Sequence, residues 1–228
     1  MDQMDSLAFI HVLQLTDSFF PVGAFAYSDG LETAASGGLV HDSASLDEWM
    51  DHFIESVFIP CEGLAVVKCM DAMREGDIAR VIRIDEELSA IRPRGAVRRS
   101  STLAGKRVLS LYGSLCGDDR LDSLASTLPC GNTAAAYAAV FFHQGVAERE
   151  AVMAFGYNRL AGIVSAGLRL ISIGQHQGQT LLTKAIRRLP DAADQILKKS
   201  SEPLRAFSPH LDIQQMNHQY VYSRLFRS

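Results

Sequence analysis

No stretch of this sequence has the length and apolarity that a bilayer demands. A spanning helix wants about 20 residues with almost no charge. The longest apolar stretch, 151–174, is interrupted by Arg159 and Arg169 and repeatedly punctuated by glycine. A buried helix is expected there, with no membrane association. Paired cysteines are missing as well. Cys61, Cys69, Cys116 and Cys130 include no C-x-x-C pair, and the N-terminus carries Asp2 and Asp5 where a leader would be basic and then apolar. A disulfide framework is therefore not expected, and a reducing cytoplasm is the expected compartment. Positive charge is in short supply: 22 Lys and Arg stand against 26 Asp and Glu, for a net charge of −4. That balance argues against a nucleic-acid partner, which calls for a basic surface.

Catalytic signatures are also wanting. There is no G-x-x-x-x-G-K-[ST] or G-x-G-x-x-G loop, no H-E-x-x-H and no G-x-S-x-G. The seven histidines (His11, His41, His52, His143, His176, His210 and His218) are scattered. Nickel or zinc needs several N or S ligands converging at about 2.0–2.3 Å, and no His-x3-His spacing offers that. Cys61 and Cys69 lie two helical turns apart and read as small core residues. No catalytic residue, resident metal or cofactor is expected.

Strand-like alternation of apolar and polar residues is absent, and what is present reads as helix after helix. A first helix carries Leu7, Ile10, Leu13 and Leu15 and ends near Asp17 and Pro21. Further helices are expected at about 26–36, 46–58 (with Ser45 and Glu48 as a capping box), 61–75 (opened by Pro60), 77–90, 93–112 and 132–145. A turn is read at 117–120. The helix at 151–174 places Gly156, Leu160, Ile163, Gly167, Leu170 and Gly174 on one face. Glycine there costs up to about 1 kcal/mol in helix propensity, a cost that a close backbone neighbour would explain. Helices at about 178–188 and 191–199, a connector at 198–203, and a short helix capped by Ser208 and Pro209 complete the chain. The expected fold class is all-α: a single bundle-like domain of about ten helices over 1–203, with 204–228 as a docking segment.

Three groups of residues stand out. Arg92, Arg94, Arg98, Arg99, Lys106 and Arg107 form the densest basic patch, either a solvated face or an interface, where arginine is favoured. Gly174-Gln175-His176-Gln177-Gly178-Gln179 is either a tight connection whose amides satisfy helix ends or a polar lining for a passage. The terminal Tyr222-Ser223-Arg224-Leu225-Phe226-Arg227-Ser228 has the composition of a binding hot spot. It is expected to lie beyond the core helices and to engage a partner, with docking on its own domain as the alternative. Two other readings of the whole chain compete: a helical enzyme holding a metal through scattered His and Cys, and a general chaperone for unfolded segments.

Three segments together resemble the UreF family of urease accessory proteins. They are Gln14-Leu15-x-Asp17-Ser18-x-Phe20-Pro21-x-Gly23-x-Phe25-x-x-Ser28-x-Gly30-Leu31-Glu32; the run Arg159-Leu160 through Val164-Ser165-Ala166-Gly167-Leu168-Arg169-Leu170, continuing to the Gly174–Gln179 segment; and Met216-x-His218 leading to Tyr222-Ser223-Arg224-Leu225-Phe226-Arg227-Ser228. Gln219 stands where the family usually has Glu, and Val221 where it has Gln or Leu. The resemblance implies a non-catalytic helical homodimer that assists nickel insertion into apo-urease. It would work with a UreD/UreH-type accessory protein and a UreG-type GTPase, with transient passage of nickel. It further implies that Tyr222 to Arg227 dock to the UreD/UreH-type partner and that Arg98, Arg99, Lys106 and Arg107 face the GTPase. Gly167, Gln175, His176 and Gln179 would serve helix packing, the dimer or the passage.

Overall fold

The computed structural model describes residues 5–22, 27–92, 96–117 and 119–226, and every regular element among them is helical. The chain is all-α. Its α-helices are α1 (Ser6–Thr16), α2 (Leu31–Ser36), α3 (Ser43–Phe53), α4 (Gly63–Arg74), α5 (Ile78–Ile91), α6 (Ala96–Cys116), α7 (Asp119–Thr127), α8 (Thr133–His143), α9 (Glu148–Leu170), α10 (Gln175–Ile186), α11 (Leu189–Lys198) and α12 (Pro209–Asn217).

The core gathers around α8 and α9. Helix α8 is buried on all sides, with Ala134, Ala135, Ala136, Ala138 and Ala139 letting α4 and α6 come close. Helix α9 spans about 35 Å at 1.5 Å per residue. It packs against α4, α10 and α11, and α2 crosses it. Tyr137, Phe155, Phe58 and Phe53 form an aromatic file through this centre, with neighbouring centroids 5.3–6.3 Å apart.

Four local expectations are corrected. The helix expected at 26–36 begins only at Leu31, because Asp29 (φ 50°) and Gly30 (φ 91°) adopt the left-handed region that ends or precedes a helix. The capping box sits three residues earlier than expected. Asp42 is the N-cap, its carboxylate accepts from Ser45 N–H at 2.9 Å, and Ser45 Oγ accepts from Asp42 N–H at 3.1 Å. Pro60 does not open a new helix. Residues Ile54–Glu62 form a π-helical segment that joins α3 to α4 without a break, and Pro60 lies inside it. The wider turn tolerates the missing N–H and the ring that would disrupt an α-helix. The Pro60 carbonyl accepts instead from Arg205 N–H at 3.1 Å. Finally, α7 begins inside the expected turn at 117–120 and runs through residues for which no element was expected; of its side chains only Leu121 is buried, so its apolar pattern is faint.

The C-terminal segment is packed on the body. Leu204, Leu211, His218 and Phe226 are all buried. Gly30 matters here twice: its φ is positive, and a side chain would press on the Gln215 backbone at 3.1 Å, where α12 crosses the start of α2.

Candidate functional site: a buried charge cluster beside a clasped tail

Parts of the three segments 14–32, 159–179 and 216–228 meet in space. A polar arginine inside an apolar helix must find partners, because an unpaired buried charge is costly. Arg159 of α9 finds two. Its Nε donates to Glu62 Oε2 at 2.9 Å and its Nη2 to Asp29 Oδ2 at 2.5 Å. Arg92, at the end of α5, donates to the other oxygen of Glu62 at 2.5 Å. The Glu62 side chain is 2% exposed. The Arg159 guanidinium also lies over the Phe53 ring, 5.3 Å from its centroid. Two carboxylates and two guanidiniums thus form a neutral group, buried at Glu62 and largely shielded elsewhere, where the turn before α2, the π-helical segment, α5 and α9 meet. Burial alone would raise the Asp29 carboxyl, but the charges of Arg159 and Arg92 outweigh it and hold the group below its ordinary value. The Arg159 guanidinium is correspondingly pushed up by Glu62 and Asp29 against the cost of its burial. Small cavities of mostly apolar lining flank the cluster, one of them with Ser100, Ser101, Thr133 and Asn158 in its wall.

One turn further along α2, Glu32 organises the chain terminus. Its carboxylate is 4% exposed and meets His218 Nε2 at 2.7 Å. It accepts the backbone N–H of Leu225 at 2.5 Å and that of Phe226 at 3.3 Å. The Phe226 ring is buried under the guanidinium of Arg169, 4.3 Å from its centroid. Asp29, Gly30 and Glu32 therefore bind the first segment to Arg159 and to the terminus, and Arg169 binds the second segment to the terminus.

The tail is thus docked on its own domain through Phe226, contrary to the expectation that it lies wholly beyond the core. Tyr222, Ser223, Arg224 and Leu225 are exposed, Tyr222 completely so. Arg224 donates to the Gln219 carbonyl at 3.3 Å. Arg227 lies outside the described residues.

The basic patch divides. Arg92 belongs to the buried cluster, and Arg94 lies outside the described residues. Arg98 is half-buried and donates to the Arg92 carbonyl at 2.8 Å. Arg99 and Lys106 are exposed on one side of α6, while Arg107 lies about 80–100° around the helix from them at about 100° per residue. The four cations do not form one compact face.

Gly167 is buried, and its close neighbour is a side chain: an added Cβ would meet Leu46 Cδ2 at 2.5 Å. The backbone approach expected on α9 occurs on α6 instead. A Cβ at Gly105 would sit on the Gly131 carbonyl and 2.7 Å from the Asn132 carbonyl carbon. Gln175, His176 and Gln179 are exposed on the first turns of α10 and share no surface with buried Gly167. Gln177 Oε1 accepts from Gly174 N–H at 3.1 Å, so one amide does close a helix end. Cys61 and Cys69 are buried, and burial pushes the Cys61 thiol up to about 12 and Cys69 further still.

Sequence reasoning passed over Glu32, Glu62 and Asp29 as site residues. Glu62 carried a signal: it interrupts the apolar run Val57-Phe58-Ile59-Pro60-Cys61 and Leu64-Ala65-Val66-Val67, so a cation had to be buried beside it.

A family model described as UreF matches residues 40–186. Over 226 residues, covering 99% of this chain and all of the relative, the sequence is 33% identical to the urease accessory protein UreF of Microcystis aeruginosa. It is 28% identical to the protein of that name from Streptococcus thermophilus, covering 96% of this chain and 94% of the relative. For the one from Arthrobacter sp., identity is 31%, with 94% and 95% covered.

Proposed function

Since the chain belongs to the UreF family of urease accessory proteins, we propose that it is a non-enzymatic assembly factor that promotes nickel insertion into apo-urease. In this reading it acts as a homodimer within a complex that contains a UreD/UreH-type accessory protein and a UreG-type GTPase, and it conducts nickel only transiently. The observation that carries the docking part is the terminus: Phe226 is anchored in the body while Tyr220, Tyr222 and Leu225 remain 77%, 105% and 70% exposed. Large aromatic and aliphatic side chains held out to solvent on an anchored peptide are the composition and setting of a binding hot spot. Exposed Arg99, Lys106 and Arg107 favour α6 as the second contact, toward the GTPase.

The test is co-purification with the UreD/UreH-type and UreG-type proteins. Deleting the tail would also strip Phe226 from its seat, so the cleaner variant is Tyr222→Ala with Leu225→Ala. Hot-spot truncations cost about 2 kcal/mol or more, so the doubly substituted chain is expected to lose the UreD/UreH-type partner while its melting temperature stays at the wild-type value. Undiminished capture by this variant would overturn the assignment of the tail. Failure of the intact chain to bind either protein would overturn the assembly-factor reading.

A further inference from the structure

Glu32 holds the terminal peptide at two points that are far apart along it. His218, in the 3-10 turn His218–Tyr220, meets Oε2 of Glu32, and the amides of Leu225 and Phe226 return to the same carboxylate. The chain between them is closed into a loop whose ends share one buried anchor. Arg224 to the Gln219 carbonyl ties the two limbs a second time. Tyr220 and Tyr222 stand at the outer side of this loop, and Leu225 beside its foot. A carboxylate has acceptor capacity only, so it matches a set of donors and would not hold a peptide offering carbonyls.

We propose that Glu32 is a positioning residue for partner docking: it keeps the 218–226 peptide in a preformed loop that presents Tyr220, Tyr222 and Leu225, without touching the partner itself. The inference rests on the proposed docking role of the tail. Its physical basis is preorganisation. A free peptide loses its conformational freedom when it binds, whereas a peptide already fixed has lost it during folding. The partner it fits is a protein with an apolar, tyrosine-accepting groove, here the UreD/UreH-type accessory protein.

Glu32→Gln tests this with little change of shape. The amide keeps one acceptor oxygen but turns two N–H donors toward His218 and the tail amides, so the donor set is no longer matched. Hydrogen–deuterium exchange of the peptide spanning 218–226, and titration with the purified UreD/UreH-type protein, are measured for the wild type, Glu32→Gln, and Tyr222→Ala with Leu225→Ala. Glu32→Gln is expected to speed exchange of the Leu225 and Phe226 amides and to weaken partner binding about tenfold or more. The doubly substituted chain is expected to weaken binding and keep the wild-type exchange. Faster exchange with unchanged affinity in Glu32→Gln overturns the positioning role and leaves the docking reading standing. Unchanged exchange in Glu32→Gln shows that the carboxylate is not what holds the loop and likewise overturns it. Unchanged affinity in the doubly substituted chain overturns the docking reading, and the inference falls with it. Wild-type circular dichroism of Glu32→Gln establishes that the body is folded, and the less disruptive His218→Gln repeats the exchange measurement from the other end of the loop.

Discussion

Replacing Arg159 by methionine removes the guanidinium that is hydrogen-bonded to both Asp29 and Glu62. The loss can be estimated from the geometry. Breaking a buried ion pair from one side costs about 3–5 kcal/mol, because the remaining charge is left without compensation. Glu62 keeps Arg92 on its second oxygen, so it is not stranded. Asp29 loses the guanidinium 2.5 Å away while staying in its pocket. The lower end of the range, about 3 kcal/mol, is therefore expected. At about 2–4 °C per kcal/mol for a chain of this size, the melting temperature falls by about 6–12 °C. The pH dependence has a definite sign. In the wild type the Asp29 carboxyl is held below its ordinary value of 3.8, so its contribution is present above that value and lost as pH falls through the lowered one. In the variant the lowering charge of Arg159 is gone and burial, which raises the carboxyl, dominates; protonation then relieves the strain, and the gap between variant and wild type narrows on acidification. Thermal melts followed by far-UV circular dichroism at neutral pH and at about pH 4 read both effects. Adding Asp29→Asn to Arg159→Met is expected to restore part of the loss, since contacting residues couple by about 0.5–3 kcal/mol. A shift of under about 2 °C at neutral pH, or a gap that does not change with pH, would refute the argument that the cluster is buried and electrostatically matched.

Gly105→Ala is expected to destabilise by about 1–3 kcal/mol or more, because its Cβ meets backbone that cannot retreat. Gly167→Ala meets only the methyl end of Leu46 and regains up to about 1 kcal/mol of helix propensity, so it is expected to be near neutral; urea titration of the pair reads the order, and the reverse order would contradict the packing described for α6 and α9. Asp85 is fully buried, and its carboxylate accepts from the backbone N–H groups of Cys130, Gly131 and Asn132 at 2.7–3.0 Å. Asp85→Ala strands several buried donors at about 1–3 kcal/mol each, and a melting temperature within a few degrees of the wild type would show that water takes their place. Phe226→Ala is expected to fray the terminus locally without unfolding the body: trypsin cleaves at Arg224 sooner while the circular dichroism melt moves little, and a large fall in the melt would make the ring part of the cooperative core.

Much of this protein was legible in order along the chain. Helix signals are local, and apolar runs, with the Ser208–Pro209 start for the last helix, located α1, α5, α8, α9 and α12 to within about four residues. Arg159 and Arg169 within the longest apolar stretch argued against a membrane span, and no helix among the described residues is long and apolar enough to cross a bilayer. The terminal and N-terminal segments carried the family resemblance in residues that can be quoted.

Other features depended on which residues the fold brings together, and no window of sequence contains that. Pro60 reads as a helix start because its ring and missing N–H are local facts, yet a π-helical turn absorbs both and lets one rod run from α3 into α4. Glycine spacing on α9 suggested a backbone neighbour, but the neighbours turned out to be Leu46, Phe58 and Leu189 side chains, while the true backbone approach fell at Gly105. Asp29, Glu62, Arg92 and Arg159 are separated by up to 130 positions, and only their burial together makes them partners. The tail shows the division most plainly: its hot-spot composition was written in the sequence, but only the fold sets the Phe226 ring under Arg169 and the Leu225 amide on Glu32, 193 positions away, while Tyr222 stays in solvent.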